Sequence, residues 1–355
     1  MNKVLSIAGR AIGQGCPPYV VAELSANHNG DIERAKAIID AAVAAGADAV
    51  KLQTYSADTL TIDHDAEDFQ IRGGLWDGRT LYQLYQWAQM PWAWHRPLFD
   101  YARERGITIF SSPFDESAVD LLEELDAPAY KIASFEIVDL PLIQYAAATG
   151  KPLIISTGMA SPEDIAAAVA TARAAGCRDL VLLHCVSGYP APAAQYNLLT
   201  LQDIAARFDV LVGLSDHTID NATAVAAVAL GACFIEKHVT LDRSSGGPDD
   251  SFSLEPPELR QLVTDSRTAW EALGQVTYER QQAEQQNVQY RRSLYVVKDL
   301  RKGEVITPEH VRSIRPGFGL APEHAARIIG RRAAHDAAYG TPVAWELIGD
   351  DPAAA

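Results

Sequence analysis

The sequence predicts an α/β protein, a (β/α)8 TIM barrel followed by a small β-rich domain. Eight short apolar runs, most ending in polar residues, alternate with Ala-rich helical stretches. Strands that alternate with helices form parallel sheets joined by crossovers. Eight such units over about 260 residues match the size of one barrel. The composition then becomes polar, and a second series of short strands predicts the additional domain.

The predicted barrel strands follow one another at regular intervals after a lead-in segment, residues 1–16. Each run is short and contains Val, Ile, Leu or Phe, residues that are common in strands buried in a parallel sheet. The runs are 19–24, 49–54, 108–113, 129–134, 152–158, 180–185, 210–216 and 234–240.

Three of the intervening helices carry clear end signals. The stretches 31–46, 161–176 and 221–231 each stop at a glycine, as helix C-termini often do. The second begins Ser161-Pro162, a cap candidate followed by a proline suited to the first turn.

The predicted domain boundaries follow the changes in composition. The barrel domain covers 1–273, a linker rich in Glu, Gln and Arg covers 274–291, and the β-rich domain covers 292–350. Two loops on the predicted active-site face are long, 56–80 after strand 2 and 242–253 after strand 8. Long ordered loops are often functional, so both are candidate lids.

Charge and hydropathy narrow the function classes. The chain has 30 Lys+Arg against 46 Asp+Glu, a formal charge of −16, which argues against nucleic-acid binding. No apolar stretch approaches the ~18 residues of a membrane span, and the N-terminus is a poor signal peptide. The four cysteines are irregularly spaced and suggest no disulfide framework. We expect a cytoplasmic enzyme that binds neither nucleic acid nor membrane.

Two lysines stand at predicted strand ends. Lys51 and Gln53 share the parity that points into the barrel, and Lys131 stands in the fourth strand. A lysine in an apolar barrel is costly unless it is paired, so two of them predict a hole for a phosphate or carboxylate. Strand-end serines would complete that hole: Ser112, Ser134, Ser156 and Ser215. The alternative is that each lysine pairs with a buried acid such as Glu236.

Two histidines and a glutamate complete the set of polar strand ends. His217 and His238 end strands 7 and 8, and adjacent strands lie about 4.8 Å apart. The two imidazoles could therefore share one metal ion with positions left for water and substrate. Alternatively, one is hydrogen-bonded in the core and the other is a base. Glu23 ends strand 1 as a proton-transfer or water-orienting group, or as a contact to a substrate hydroxyl.

Specific motifs follow one another along nearly the whole chain. They are AELSANHNGD (22–31), GADAVKLQTY (46–55), FSSPFD (110–115), YKIASFE (130–136), ISTGM (155–159), GLSDHT (213–218), EKHVTLD (236–242), VVKDLRKGEVIT (296–307) and IRPGFG (314–319). In this order they resemble the motifs of the sialic acid synthase family, whose members condense phosphoenolpyruvate with an acylamino sugar. The resemblance implies that the C-terminal module is that family's antifreeze-like (SAF, β-clip) domain.

The resemblance implies roles for individual residues. Glu23, His217 and His238 would be catalytic, with a divalent metal ion (Mn2+, Mg2+ or Co2+) on the two histidines. Ser187 replaces an asparagine frequent in N-acetylneuraminate synthases. Implied phosphoenolpyruvate contacts are Lys51, Ser112, Lys131, Ser134, Ser156, Ser187 and Ser215; implied sugar contacts are Gln53, Tyr189, Asp249, Tyr290 and Arg315. The implied assembly is a homodimer whose SAF domain contributes Arg315 in trans.

Within the family, ELSANHNG and the segment 54–95 resemble the pseudaminic acid branch. That implies a C–C bond-forming transferase in which C3 of phosphoenolpyruvate attacks the aldehyde of 2,4-diacetamido-2,4,6-trideoxy-L-altrose. Water then adds at C2, and phosphate leaves by C–O cleavage. Leu75, Trp76 or Phe114 would supply an apolar wall for the 6-deoxy carbon. The alternatives are a legionaminic or N-acetylneuraminic acid synthase, a Schiff-base aldolase using Lys131, or a sugar-binding protein.

Overall fold

The computed structural model describes residues 3–349 and divides the chain into two compact units, Met1–Gly274 and Gln275–Ala355. The first unit contains the barrel and the second contains the β-rich domain. Residue 350, the predicted end of that domain, lies outside the described residues.

Eight parallel strands close into a barrel in chain order, with the last strand paired to the first, which confirms the predicted fold. An antiparallel hairpin precedes them, formed by β1 (Val4–Ile7) and β2 (Arg10–Gly13). The barrel strands are β3 (Tyr19–Glu23), β4 (Ala49–Thr54), β5 (Thr108–Pro113), β6 (Tyr130–Ile132), β7 (Leu153–Ser156), β8 (Leu180–Cys185), β9 (Leu211–Asp216) and β10 (Phe234–His238).

Helices connect the strands and surround the barrel. Helix α1 begins after Asp31, whose side chain accepts the Glu33 amide, and ends at Gly46, whose φ of +81° suits glycine. In the first unit the helices are α1 (Ile32–Ala45), α2 (Ala57–Leu60), α3 (Leu81–Ala88), α4 (Trp92–Arg105), α5 (Glu116–Glu124), α6 (Leu140–Ala148), α7 (Pro162–Ala174), α8 (Thr200–Phe208), α9 (Ala222–Ala229) and α10 (Pro256–Leu273).

The two faces of each strand have different surroundings because side chains alternate across a strand. In β3, Val20 and Ala22 pack against the helices, whereas Tyr19 and Val21 point into the lumen. The same alternation carries Glu23 into the lumen at the C-terminal end of the strand. The lumen is therefore apolar near the N-terminal ends of the strands and polar near their C-terminal ends.

The N-terminal hairpin closes the apolar end of the lumen. Leu5, Ile7 and Ile12 are buried together with the inward-pointing residues that begin the strands, such as Tyr19 and Phe234. The predicted lead-in segment is thus a two-stranded plug. It leaves the opposite, C-terminal end as the accessible mouth of the barrel.

The second unit is built from two short helices and a small antiparallel sheet. Its elements are α11 (Gln282–Gln285), β11 (Ser293–Val296), β12 (Val311–Ile314) and α12 (Ala325–Ile328). Isolated bridges, such as Leu300 with Ala337, extend the β structure. Its own core includes Leu294, Val296, Ile306, Ile328, Val343 and Leu347.

None of the helices in residues 3–349 is both long and apolar enough to cross a membrane.

Candidate active site

A buried group of four ionisable side chains lies in the polar end of the lumen. We call Glu23, Lys51, Lys131 and Glu236 the charged cluster; their exposed fractions are between 0% and 5%. Each stands on a different strand with inward parity, which is why residues far apart in sequence meet here.

The charged cluster is held by ion pairs. The Lys51 Nζ lies 2.7 Å from Glu23 Oε2 and 3.6 Å from Glu236 Oε1. The Lys131 Nζ lies 3.9 Å from Glu236 Oε1. Both lysines therefore have the buried acid partner that the sequence left open. They remain available to an anion, because two cations share these acids and each ammonium has three donors.

Burial and the neighbouring charges shift the pKa values of the residues in the charged cluster. Burial raises the pKa of Glu23 to about 7, although Lys51 opposes the rise. Burial also pushes the pKa of Glu236 upward, but Lys131 and Lys51 together hold it below its ordinary value. Burial and the neighbouring Lys51 lower the pKa of Lys131, whereas Glu236 opposes them. Within the charged cluster, Glu23 is therefore the carboxyl that exchanges a proton near neutral pH.

Hydroxyl groups and a backbone amide surround the lysines. Ser112 Oγ accepts a hydrogen bond from Lys51 Nζ at 3.0 Å. Ser134 Oγ accepts one from the Gly158 amide at 3.2 Å. A Cβ atom at Gly158 would lie 2.3 Å from Ser187 Oγ and 2.8 Å from Ser134 Oγ, so glycine is what allows the two hydroxyls to converge.

The remaining predicted serines lie at the same end of the lumen. Ser215 Oγ donates to Glu236 at 3.3 Å. Ser156 Oγ is buried and has no hydrogen-bond partner among the described residues. A buried hydroxyl without a protein partner carries a desolvation cost, which a bound ligand would offset. These groups form a set of donors suited to phosphate or carboxylate.

The two predicted metal-binding histidines adjoin each other. The ring centroids of His217 and His238 are 5.5 Å apart. Burial and the neighbouring His217 hold the pKa of His238 well below its usual range, so this ring is neutral. Its Nδ1 is buried without a hydrogen bond to the described residues, and Asp249 Oδ2 lies 3.9 Å away. A neutral imidazole with an unused lone pair is what a metal ion requires.

His217 is fixed by a backbone acceptor. Its Nδ1 lies 2.9 Å from the Val186 carbonyl oxygen, which assigns the proton to Nδ1 and leaves the Nε2 lone pair available. The Cys185 Sγ lies 3.8 Å from the same nitrogen. Burial lowers the pKa of His217, but Cys185 raises it above its usual value. Cys185 thus raises the pKa of a site histidine.

No group of three or more His, Cys, Asp or Glu side chains within residues 3–349 is arranged to hold a metal ion. Two adjoining imidazoles would suit an open site, in which water and substrate would supply the other ligands. A closed structural site would need more protein ligands.

The barrel residues implied as sugar contacts flank the histidines. Gln53 Nε2 donates to Glu23 Oε1 at 3.0 Å. The Tyr189 ring lies 4.4 Å from the His217 ring. Asp249 accepts a hydrogen bond from the Ser25 hydroxyl, and burial raises the pKa of its carboxyl. Polar groups and an aromatic face thus border the position next to the histidines.

Trp76 joins the two long loops, 56–80 and 242–253, near the histidines. Trp76 Nε1 donates to the Pro248 carbonyl oxygen at 3.0 Å, and its ring lies 5.8 Å from Tyr189. Of the other apolar candidates, Phe114 packs on Tyr55 at 5.1 Å, and Leu75 is 48% exposed. Trp76 is therefore the candidate that reaches the aromatic group beside the histidines.

The segment NHNG, residues 27–30, forms hydrogen bonds to the loop that carries Asp249. Asn27 Nδ2 donates to the Val239 carbonyl and to Ser253 Oγ, and Asn29 Nδ2 donates to Asp250 Oδ2. Arg34 forms an ion pair with Asp250 at 3.3 Å. Neither Arg34 nor Asp250 was predicted from the sequence; the polar composition of the loop 242–253 was a signal for Asp250 only.

Tyr290 and Arg315 lie in the second unit. Tyr290 is 56% exposed at the end of a short 3-10 helix, and Arg315 is exposed after β12. The Gly317 amide donates to the Gln289 carbonyl at 2.8 Å, so the two segments adjoin each other. The segments that carry Tyr290 and Arg315 are therefore adjacent within the second unit.

Comparison with known proteins identifies the family. The model of the NeuB family matches residues 38–278, and that of the SAF domain matches residues 291–348. A pseudaminic acid synthase of Campylobacter jejuni is 43% identical over 322 residues, covering 91% of this chain and 94% of that protein. A pseudaminic acid synthase of Helicobacter pylori is 42% identical over 336 residues, covering 94% and 98%.

A solved structure agrees with these matches. The crystal structure of N-acetylneuraminic acid synthetase from Leptospira borgpetersenii, in complex with citrate, has a TM-score of 0.72 and 32% identity. The match covers 81% of this chain and 96% of that chain. The motifs, the barrel and the β-rich second unit lead to one conclusion: the chain belongs to the NeuB family, and its second unit carries a SAF domain.

Proposed function

We propose that this protein is a pseudaminic acid synthase. It condenses phosphoenolpyruvate with 2,4-diacetamido-2,4,6-trideoxy-L-altrose and water, and it releases pseudaminic acid and phosphate. The choice of product is supported by the Campylobacter and Helicobacter relatives, which carry that name and match over more than nine-tenths of the chain.

The observation that carries the reaction class is the charged cluster with its surrounding hydroxyls. Phosphoenolpyruvate has two anionic groups, and the lumen offers two lysines together with serine hydroxyls and the Gly158 amide. Because these donors are buried and already held in place, they interact with the substrate charges more strongly than water would. Lys51, Lys131, Ser112, Ser134, Ser156, Ser187 and Ser215 are the proposed contacts.

The chain's own residues position the reacting atoms. In the reaction, C3 of the enol phosphate forms a bond to the sugar aldehyde carbon, and the aldehyde oxygen gains a proton. Water adds at C2, and the resulting tetrahedral species loses phosphate by C–O cleavage. Glu23, with a pKa of about 7, is the group proposed to take the proton of that water. Gln53 holds the carboxyl of Glu23 in place.

We propose His217 and His238 as the ligands of a divalent cation, Mn2+, Mg2+ or Co2+. When bound, the cation would polarise the sugar carbonyl. The adjoining imidazoles and the unused Nδ1 of His238 support this assignment. Since a proton on His217 competes with the cation, affinity should rise with pH.

Trp76 is proposed as the apolar wall for the 6-deoxy carbon. An extended six-carbon chain spans roughly 6 Å, given bonds of about 1.5 Å. A sugar with its aldehyde beside His217 and its chain along Tyr189 therefore extends toward Trp76, since Tyr189 contacts both. An indole face stabilises a methyl group and offers no partner to a hydroxyl there.

A second copy of the chain is proposed to complete the site. Arg315 is exposed directly after β12. The rim of the barrel mouth carries exposed apolar side chains, including Phe135, Val138, Met159 and Leu199. Such a patch is typical of a surface that another protein covers. We propose a homodimer in which the SAF domain of one subunit brings Arg315 to the barrel of the other.

One observation favours a second candidate, a Schiff-base aldolase. A nucleophilic lysine needs a lowered pKa, and burial beside Lys51 gives Lys131 this property. Incubation with pyruvate and borohydride would add a stable mass to Lys131 in an aldolase. A synthase that uses phosphoenolpyruvate leaves this lysine unmodified.

The proposed function is tested with purified enzyme, phosphoenolpyruvate, Mn2+ and a panel of sugars. The panel contains the 2,4-diacetamido-2,4,6-trideoxy-L-altrose substrate, the legionaminic acid precursor and N-acetylmannosamine. Phosphate release and product mass are measured. We expect the highest kcat/KM for the first sugar; an equal or higher value for either of the others would reassign the product.

A further inference from the structure

A buried polar network lies behind the barrel wall, on the side of β9 and β10 that faces the helices. Lys237 follows Glu236 and precedes His238, so its parity directs it away from the lumen. Its side chain is nevertheless 2% exposed. A lysine so deeply buried outside the active site needs several partners.

The Lys237 ammonium group donates hydrogen bonds to one short segment, residues 216–220. Its Nζ lies 2.9 Å from Asp216 Oδ2, 2.7 Å from the Thr218 carbonyl oxygen and 2.6 Å from the Asp220 carbonyl oxygen. Asp216 in turn accepts the Thr218 amide at 2.9 Å. The lysine therefore holds the Asp216 side chain on one side of His217 and the backbone of Thr218 and Asp220 on the other.

A tyrosine extends the network to His217 itself. The His217 backbone amide donates to Tyr196 Oη at 2.6 Å. Tyr196 is 1% exposed, and burial together with the adjacent Asp216 carboxylate raises the pKa of its hydroxyl. The backbone of His217 is thus held by Tyr196, while its neighbours are held by Lys237.

Stability alone does not explain this arrangement. A buried ion pair contributes little net stability compared with apolar residues of the same shape, because two charges must lose their water. The polar groups here instead converge on one short segment, 216–220, which carries a residue of the lumen. Residues that contact metal ligands from outside a metal site orient those ligands in the same way.

We propose that Lys237, acting through Asp216 and the 218–220 backbone, is a positioning residue that sets the His217 ring opposite His238. Tyr196 is the second positioning residue of the same network. This inference deepens the proposed function, because it rests on a role for His217 in that site. The hydrogen bonds of Lys237 and Tyr196 described above do not involve the charged cluster. We therefore expect substitutions of these two residues to change the affinity for phosphoenolpyruvate little.

The experiment uses Lys237→Met, which keeps the length of the side chain but removes its charge and donors. Tyr196→Phe removes only the hydroxyl and provides a milder second variant. Lys151→Met is the matched control, because Lys151 pairs with Glu123 on the outer surface at 2.7 Å. Mn2+ affinity is measured by titration with electron paramagnetic resonance, and phosphoenolpyruvate affinity is measured by calorimetry.

We expect Lys237→Met to weaken Mn2+ binding by about 10–100-fold and Tyr196→Phe by a smaller factor. Lys151→Met should match the wild type, and phosphoenolpyruvate affinity should stay within about twofold in all variants. If Lys237→Met does not fold, Tyr196→Phe alone decides. Folded variants with wild-type Mn2+ affinity would overturn the proposal.

A metal-free readout separates this inference from the metal assignment. In the wild type, the His217 Nδ1 proton is held by the Val186 carbonyl, so it should exchange slowly in imidazole-detected NMR spectra. Lys237→Met should accelerate that exchange about tenfold or more. Unchanged exchange would count against the positioning role. Failure of the wild type to bind Mn2+, with the exchange still accelerated, would count against the metal alone.

Discussion

Replacing Lys51 by methionine tests the electrostatic balance of the charged cluster. Methionine retains most of the volume of lysine, so little cavity forms, but the ammonium is lost. Glu23 and Glu236 then remain buried without the cation that lies 2.7 Å and 3.6 Å from them. We expect a folded but destabilised protein, because an unpaired buried charge is far more costly than the pair.

The magnitude follows from the burial of Lys51, Glu23 and Glu236, whose exposed fractions are 3%, 0% and 5%. Removing one partner of so buried a pair costs about 3–5 kcal/mol. For a unit the size of Met1–Gly274, the unfolding entropy is about 0.6 kcal/mol per degree. A loss of about 4 kcal/mol should therefore lower Tm by about 7 °C.

The cost should depend on pH in a defined direction. Burial already raises the pKa of Glu23 to about 7, and loss of Lys51 raises it further. A carboxyl whose pKa is raised by folding favours the folded state at low pH, and this contribution is lost as pH rises through the folded pKa. The destabilisation by Lys51→Met should thus be small near pH 5 and large at pH 8.

Thermal unfolding followed by circular dichroism at pH 5 and pH 8 measures this effect. Lys36→Met is the control: its exposed pair with Glu33, at 2.7 Å, should leave Tm nearly unchanged at both pH values. A Tm for Lys51→Met within about 2 °C of the wild type at pH 8 would refute the reasoning. So would a deficit of the same size at both pH values.

Four further predictions concern activity. Glu23→Gln should lower kcat by about 100–10,000-fold in steady-state assays with little change in phosphoenolpyruvate affinity; a rise confined to the sugar KM would make Glu23 a binding residue. Chelation should abolish turnover, and added Mn2+ should not rescue His217→Ala; full activity of metal-free enzyme would contradict this. In competition assays, Trp76→Ala should reduce the preference for the 6-deoxy sugar over N-acetylmannosamine about tenfold; an unchanged preference removes Trp76 from the wall. Co-expressed Lys131→Ala and Arg315→Ala should recover about a quarter of wild-type activity, because half of the dimers have one intact site; a mixture no better than its parents would mean that Arg315 acts in cis or does not belong to the site.

Sequence periodicity was sufficient to predict the barrel. Each strand is a short apolar run, and its inward parity fixes which side chains share the lumen. This is why Lys51, Lys131 and Glu236 could be associated before their distances were known. Adjacent strand ends likewise placed His217 beside His238.

Contacts between distant loops could not be predicted in this way. The hydrogen bond from Trp76 to Pro248 joins two loops that have no regular period, so no parity rule applies to them. The network of Lys237 was missed for another reason. Its outward parity predicts an apolar partner, and only the path of the 216–220 backbone reveals the buried acceptors.

The central claim, condensation with C–O cleavage, is tested most directly with phosphoenolpyruvate labelled with 18O in the oxygen that bridges C2 and phosphorus. The labelled substrate is incubated with enzyme, Mn2+ and 2,4-diacetamido-2,4,6-trideoxy-L-altrose, and both products are analysed by mass spectrometry. We predict one equivalent of phosphate that retains the label and one equivalent of unlabelled pseudaminic acid. Label in the sugar acid, or phosphate release without a condensed product, would contradict the account.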